Sequence, residues 1–296
     1  MQAYFCIGYH AREFDYTINK IIHMRKNLLF YFQCHLPIGR MRTQPKLPTF
    51  RNTGNPLVKD KFTADPAPLV HNGTLYLYVG HDEYYEGQDT AHGGKEFNIT
   101  EWLCYSTKDM QTWTDHGVVL KPTDFKWGIG EAWAAQVIEH NGKFYYYTTV
   151  QAGEPYNSKA IGVAVSDSPT GPFTDAIGKP LVTDDMTPNG PRGWWNDIDP
   201  TALIDENGQA WLSWGNGTCF LAKLKPNLTE IDGDIEVVDL PRYVEGPWLH
   251  KRGDSNRPFS AYMEAEKSLK ATDAMKAMYL HRDSTEVIGK ILKCRY

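Results

Sequence analysis

No stretch of this chain approaches the roughly 18 consecutive apolar residues that a membrane-crossing helix needs, and none is expected here. Positive charge is in deficit too. Thirty-one Lys and Arg stand against 36 Asp and Glu, a net charge of -5. That balance argues against a nucleic-acid partner held through its phosphates. Cysteine is scarce. Cys6, Cys34, Cys104, Cys219 and Cys294 are odd in number, and no two have metal-ligand spacing. A disulfide framework is therefore not expected. Cys104 and Cys219 lie in strand-like apolar runs and read as buried, inert thiols.

Aromatic residues are what the chain has in quantity. They make up 13% of it, with 17 Tyr and 9 Trp, a level that suits a strand-rich or sugar-binding protein. At 296 residues and 41% hydrophobic content, one large domain or two small ones can bury a sizeable core. Four Asn-x-Ser/Thr sequons begin at Asn72, Asn98, Asn216 and Asn227, and they matter only in a host that glycosylates.

One phrase recurs: an apolar run, a polar turn ending in Asn-Gly, and a second run rich in aromatics. It reads Asp65 to Val79 around Asn72-Gly73, Trp133 to Tyr147 around Asn141-Gly142, and Asp199 to Trp214 around Asn207-Gly208. Asn-Gly between two such runs predicts a β-hairpin. Further strand-like runs come after each hairpin: Glu101–Ser106 and Val118–Leu120, then Ala160–Ser166, then Cys219–Leu224 and Ile235–Val238. Lys108–Gly117 and Ser168–Asp175 read as turn-rich connections. A fourth unit opens at Val244 with its turn at Gly253. The turn glycines Gly73, Gly142, Gly208 and Gly253 are 69, 66 and 45 residues apart. Four-stranded units repeating at about 40–50 residues, lengthened by insertions, are the signature of β-propeller blades.

The two ends differ from this pattern. Residues 1–50 read as an N-terminal extension. Met24-Arg25-Lys26 followed by an apolar run to Phe32 has the opening of a secretory signal peptide, broken at Gln33-Cys34-His35. An export signal damaged there would place the protein outside the cytoplasm; a poorly ordered extension is the blander reading. Residues 51–254 carry the propeller pattern. Residues 255–296 read as a non-propeller tail, with helix formers from Ser260 to Met278.

Aligned on the turn glycines, Asp65 lies eight residues before Gly73, Asp199 nine before Gly208 and Glu245 eight before Gly253. The corresponding place in the second unit is Ala134, beside Trp133. The first strand of each propeller blade lines the central channel, so the three acids are expected to converge at one end of it. Clustered acids are costly because like charges raise each other's pKa. They suit glycoside hydrolysis, in which one carboxylic acid donates a proton and one carboxylate acts as base or nucleophile.

At these motifs the chain resembles glycoside hydrolase family 43. The resemblance rests on Ala64-Asp65-Pro66-Ala67-Pro68, Asp197-Ile198-Asp199-Pro200-Thr201 and Val244-Glu245-Gly246-Pro247-Trp248. It covers roughly residues 52–254. The resemblance implies an all-β, five-bladed β-propeller type fold, here incomplete at about three to four blades. It implies an inverting glycosidase of the β-xylosidase or α-L-arabinofuranosidase type, acting on xylo- or arabino-oligosaccharides. Asp65 is then the general base, Asp199 tunes and orients the donor, and Glu245 is the general acid. Asp197 reads as a supporting residue, although its spacing puts it on the same strand face as Asp199. Where the family has Trp-Ala-Pro, this chain has Trp133-Ala134-Ala135. The resemblance makes Trp133 a wall of the sugar site. His81 and Asp82 end the strand facing Asp65, and His81 is taken as a further substrate contact; Trp194 and Trp195 are candidates for the rim.

The resemblance also implies a calcium ion associated with a histidine of the last blade. No counterpart of that histidine is found here, so calcium rests on resemblance alone and no cofactor is otherwise required. Asp205-Glu206-Asn207-Gly208 lacks the ligand spacing of an EF-hand loop and reads as a turn. An open propeller exposes edge strands, so reduced stability and low or no activity are expected of the chain as written. Rival readings are a carbohydrate-binding propeller without turnover and a retaining glycosidase acting on fructosides.

Overall fold

Thirteen strands and three single-turn 3₁₀ helices make up the described part of this computed structural model. It describes residues 46–83, 99–188, 193–240 and 243–250. The chain divides after Lys46, and the architecture here is that of the unit beginning at Leu47. The helical reading of Ser260 to Met278, the turn at Gly253 and the signal-like stretch at Met24 lie outside the described residues.

After a short strand β1 (Thr49–Arg51), four antiparallel strands form the first blade: β2 (Phe62–His71), β3 (Thr74–Asp82), β4 (Ile99–Thr107) and β5 (Thr112–Leu120). β1 pairs with the outer edge of β5. The second blade is β6 (Gly128–His140), β7 (Lys143–Ala152), β8 (Lys159–Ser166) and β9 (Thr174–Asp175). The third is β10 (Thr201–Ile204), β11 (Ala210–Trp214), β12 (Cys219–Leu224) and β13 (Ile231–Val238). Beyond β13, a single bridge joins Glu245 to Asn216 at the end of β11. The fold is all-β and of the propeller type, with three blades and the approach to a fourth among the described residues.

The first two hairpin turns follow the Asn-Gly expectation. Asn72 and Gly73 have φ of 49° and 69°, and Asn141 and Gly142 have 53° and 77°. Positive φ at both central residues matches the twist of the flanking strands. The third turn is built differently. Only Gly208 has positive φ, at 80°. The Asp205 carboxylate accepts the backbone N–H groups of Asn207 and Gln209 at 2.9 and 3.0 Å, and the Trp211 indole N–H at 3.0 Å. Its oxygens hold a turn together. Lys108–Gly117, read as turn-rich, becomes strand from Thr112. The Asp109 carboxylate takes the N–H groups of Gln111 and Thr112, which closes the turn early.

Packing between blades explains the aromatic content. Along Phe144-Tyr145-Tyr146-Tyr147, alternate side chains point to opposite faces. Phe144 and Tyr146 pack with Tyr78, Trp102, Phe125 and Phe173 between the first two blades. Tyr145 and Tyr147 pack with Ile161, Leu212, Trp214 and Phe220 between the second and third. A strand buried on both faces reads as an unbroken apolar run. Large rings bridge the gap, and two of them find polar partners for their hydroxyls. Tyr78 donates to the Pro169 carbonyl at 2.6 Å, and Tyr147 to that of Leu228 at 2.8 Å. Cys104 and Cys219 are buried free thiols.

Candidate active site

The inner strands of the three blades share one irregularity. In β2, Ala64 pairs with Gly80 and Ala67 with Tyr78, so Asp65-Pro66 bulges opposite Val79 alone. In β6, Ala132 pairs with Val150 and Ala135 with Thr148, so Trp133-Ala134 bulges opposite Thr149. Before β10, Gly215 donates to the Ile198 carbonyl at 2.8 Å and Thr201 pairs with Ser213, so Asp199-Pro200 bulges opposite Trp214. Bulges re-aim side chains at strand ends. Asp65, Trp133 and Asp199 are thus blade equivalents, and Trp133 rather than Ala134 takes the place of the acid in the second blade.

Asp65 and Asp199 both have left-handed backbone, with φ of 53° and 59°. Few residues other than glycine adopt it; Asp is one that does. The Asp199 N–H donates to Thr149 Oγ1 at 3.0 Å, so the bulge partner in the second blade holds the acid of the third.

The structure brings the three acids together. Burial raises the Asp65 carboxyl to about 6, helped by the nearby charges of Asp82 and Glu245. Asp65 is nevertheless exposed to water at its surface, so it sits in a recess that protein walls and solvent enters. Tyr243 feels both Asp199 and Glu245, and its phenol is raised well above the ordinary value, chiefly by burial. It donates to the Gly215 carbonyl at 2.9 Å. A Cβ added at Gly246 would lie 3.9 Å from Asp199 Oδ2, which sets the peptide after Glu245 beside that carboxylate.

Asp197 is apart from this group. It is 1% exposed and accepts the Trp214 indole N–H at 2.8 Å and the Thr187 hydroxyl at 3.2 Å. Burial raises its carboxyl to about 6. The side chain pins the third blade to the preceding loop, in keeping with a supporting role.

Trp133 is 7% exposed, and one face of its indole is already covered. The Lys159 ammonium lies 3.3 Å from the centre of that ring and 4.3 Å from the Trp195 ring. Trp195 meets Trp133 edge-on at 5.5 Å. Lys159 is 1% exposed and donates to Gln151 Oε1 at 2.7 Å and Glu131 Oε2 at 3.3 Å. His81 places Nδ1 3.0 Å from Glu101 Oε1, and Glu101 also pairs with Lys121 at 3.5 Å. Its neighbour Asp82 is the residue that acts on Asp65, and burial raises the Asp82 carboxyl as well.

Sequence reasoning missed Lys159, Thr149 and Tyr243. Lys159 alone had a visible signal: it is the one charge opening the apolar run Ala160–Val165. Among the described residues no three His, Cys, Asp or Glu side chains are placed to share a metal ion.

Comparison with known proteins identifies the family and the fold. The profile of Glycosyl hydrolases family 43 matches residues 53–291, beyond the point where the repeat fades in the sequence. An arabinoxylan arabinofuranohydrolase of Bacillus subtilis (strain 168) is 32% identical over 227 residues, 67% of this chain and 42% of the relative. A xylosidase/arabinosidase 43A of Humicola insolens is 34% identical over 163 residues, 54% of this chain and 45% of the relative. The chain thus spans less than half the length of these curated relatives. Among solved structures, a β-xylosidase/α-arabinofuranosidase from a compost microbial metagenome, bound to xylotriose, superposes with a TM-score of 0.58. It covers 70% of this chain and 72% of its own at 23% identity, a likeness of fold.

Proposed function

The chain belongs to glycosyl hydrolase family 43, and on that premise we propose that it hydrolyses terminal xylose or arabinofuranose units from hemicellulose oligosaccharides. The observation that carries this reading is the convergence of Asp65, Asp199 and Glu245, two of them on matching bulges of separate blades. Curated relatives named as a xylosidase/arabinosidase and as an arabinoxylan arabinofuranohydrolase support the substrate class. No helix among the described residues is long and apolar enough to cross a membrane.

The chemistry follows from the environments. Asp65 is the base that takes a proton from water attacking the anomeric carbon. A carboxyl raised to about 6 is a stronger base than an ordinary aspartate and is still ionised at neutral pH. Glu245 donates its proton to the departing glycosidic oxygen. Asp199, fixed by Thr149 through its own backbone, lies beside the peptide that follows Glu245 and helps orient that donor. Water enters once and the anomeric configuration inverts, the outcome of base and acid acting from opposite faces of the sugar.

Release of nitrophenol from aryl β-xyloside and α-L-arabinofuranoside tests the reading, with Glu245→Gln as control. Turnover that the substitution abolishes supports it. NMR of the first-formed anomer reads the stereochemistry. Tight binding of the sugars without release identifies a carbohydrate-binding module instead.

A further inference from the structure

An asparagine followed by glycine loses its side-chain amide readily, because glycine has no Cβ to hinder attack by the next backbone nitrogen. The chain has five such pairs, at Asn72, Asn141, Asn189, Asn207 and Asn216. Asn189-Gly190 lies outside the described residues. Of the other four, Asn72-Gly73 and Asn141-Gly142 are near duplicates. Each follows a histidine, and each forms a two-residue turn with positive φ at both positions. The turns close on paired residues, His71 with Thr74 and His140 with Lys143. Asn72 Nδ2 lies 2.8 Å from His71 Nε2, and Asn141 Nδ2 lies 2.9 Å from His140 Nε2. Both asparagines are exposed.

The two turns differ at the glycine nitrogen. The Gly142 N–H donates to Glu139 Oε1 at 2.7 Å. The residue in the same place of the first hairpin, three before the glycine, is Val70, which has no side-chain acceptor. Val70 pairs with Leu75 as Glu139 pairs with Phe144, so the two positions match in register as well as in count. The Gly73 N–H has no acceptor among the described residues. The remaining glycines are held: Gly208 donates to the Asp205 carbonyl and Gly217 to that of Val244.

We propose that Asn72 is a site of spontaneous deamidation, at which the folded chain converts to aspartate and isoaspartate ahead of the other three pairs. The inference is independent of the glycosidase reading. Gly73 N gives its proton to solvent and bonds to Asn72 Cγ. The Cγ–Nδ2 bond then breaks, and the departing nitrogen takes a proton from solvent and leaves as ammonia. Water opens the cyclic imide at either carbonyl, so one water enters and one ammonia departs overall. At Gly142 the same step must break a charge-assisted hydrogen bond and build an amide anion beside a carboxylate. Losing a hydrogen bond to a charged group is enough to slow the step roughly 10-fold. His71 and His140 face their asparagines alike and do not separate the two turns. Isoaspartate lengthens the backbone within a turn whose two residues set the strand register. The turn is at the end of β2 away from Asp65, so the change falls on the hairpin and not on the acids.

Incubation of the purified chain at mildly alkaline pH, followed by peptide mass mapping, tests the proposal. The protein is made in a host that does not glycosylate, since Asn72-Gly73-Thr74 is a sequon. The peptide holding Asn72 should exchange amide for acid roughly 10-fold faster than the peptide holding Asn141. Val70→Glu should slow Asn72 toward the Asn141 rate, and Glu139→Val should raise Asn141 toward the Asn72 rate. Val70 is 48% exposed, so a charge placed there faces water. Glu139→Gln keeps an acceptor without the charge and should give an intermediate rate at Asn141, a reading that needs no change of shape. In urea both sites read His-Asn-Gly without a turn and should react alike. Equal rates in the native chain overturn the proposal. So do substitutions that leave both rates unchanged, or a preference for Asn72 that persists in full in urea.

Discussion

Lys159→Met removes a buried charge that the fold holds at a cost. The ammonium is 1% exposed and sits among two indole rings, Gln151 and Glu131. Burial lowers its pKa from 10.5 to about 8, against the pull of Glu131. That drop corresponds to about 3 kcal/mol in favour of the neutral amine in the folded chain. The rings act the other way, since a desolvated cation over an indole gains about 2 kcal/mol. At neutral pH the two nearly cancel, so Lys159→Met is expected to change stability by about 1 kcal/mol or less in either direction.

The pH dependence carries the information. Between about 8 and 10.5 the unfolded chain keeps the Lys159 proton and the folded chain gives it up. Stability therefore rises with pH across that window. Buried Tyr and Cys side chains with raised values titrate in the opposite sense, so wild type must be compared with the variant. The stability difference, wild type minus Lys159→Met, should grow by about 1–3 kcal/mol across the window. Urea unfolding followed by tryptophan fluorescence measures it. Parallel curves, or a difference that shrinks with pH, would refute the reasoning; shrinkage would mean that the rings and Glu131 outweigh burial.

Other substitutions probe the acids and their supports. Asp82→Asn removes one of the charges that raise Asp65, so the acid limb of kcat/KM should move from about 6 to lower pH; a stationary limb sinks the assignment of Asp65 as base. Asp197→Ala leaves the buried Trp214 N–H unpaired and should cost about 3 kcal/mol in denaturant titration, whereas Asp197→Asn keeps an acceptor and should cost about 1. The folded Asp197 binds its proton near 6 against 3.8 for the free group. Its charged form is the disfavoured one, so this residue adds stability as pH falls from about 6 to 4, and Asp197→Asn should flatten that rise. Thr149→Val deprives the Asp199 N–H of its acceptor. It should lower stability by about 1–2 kcal/mol and lower kcat more than it changes KM; equal losses in both would point to general damage.

Much of the blade pattern could be read from the sequence because it depends on local chemistry. Asn72-Gly73 and Asn141-Gly142 specify their turns through residues that tolerate positive φ. Asp205 and Asp109 were opaque because a side-chain oxygen reaching back to the backbone decides where those turns close. Trp133 shows a different limit. Its place on a bulge follows from spacing, but the ammonium covering it comes from β8, 26 residues on, and no local pattern announces such a contact. His81 and Asp82 alternate along one strand, so spacing marks both and only the fold separates them. His81 turns to Glu101, while Asp82 acts on Asp65.

The acids themselves show how backbone conformation refines a register taken from turns. Counting back from the turn glycines makes Asp65, Asp199 and Glu245 equivalent. Counting by conformation does not. The residue with left-handed φ before proline is Asp65, then Asp199, then Gly246 at 68°. Glu245 therefore stands one residue earlier than the two aspartates and carries one more methylene. Glycine takes the unusual conformation in its motif, so Glu245 need not adopt it. Asp65 and Asp199 must combine the conformation and the carboxylate in one residue, with little freedom left in a short side chain. That division fits the proposed chemistry. A base and a charge that tunes its neighbour work from fixed positions. A donor that must reach a leaving oxygen benefits from the longer and freer arm.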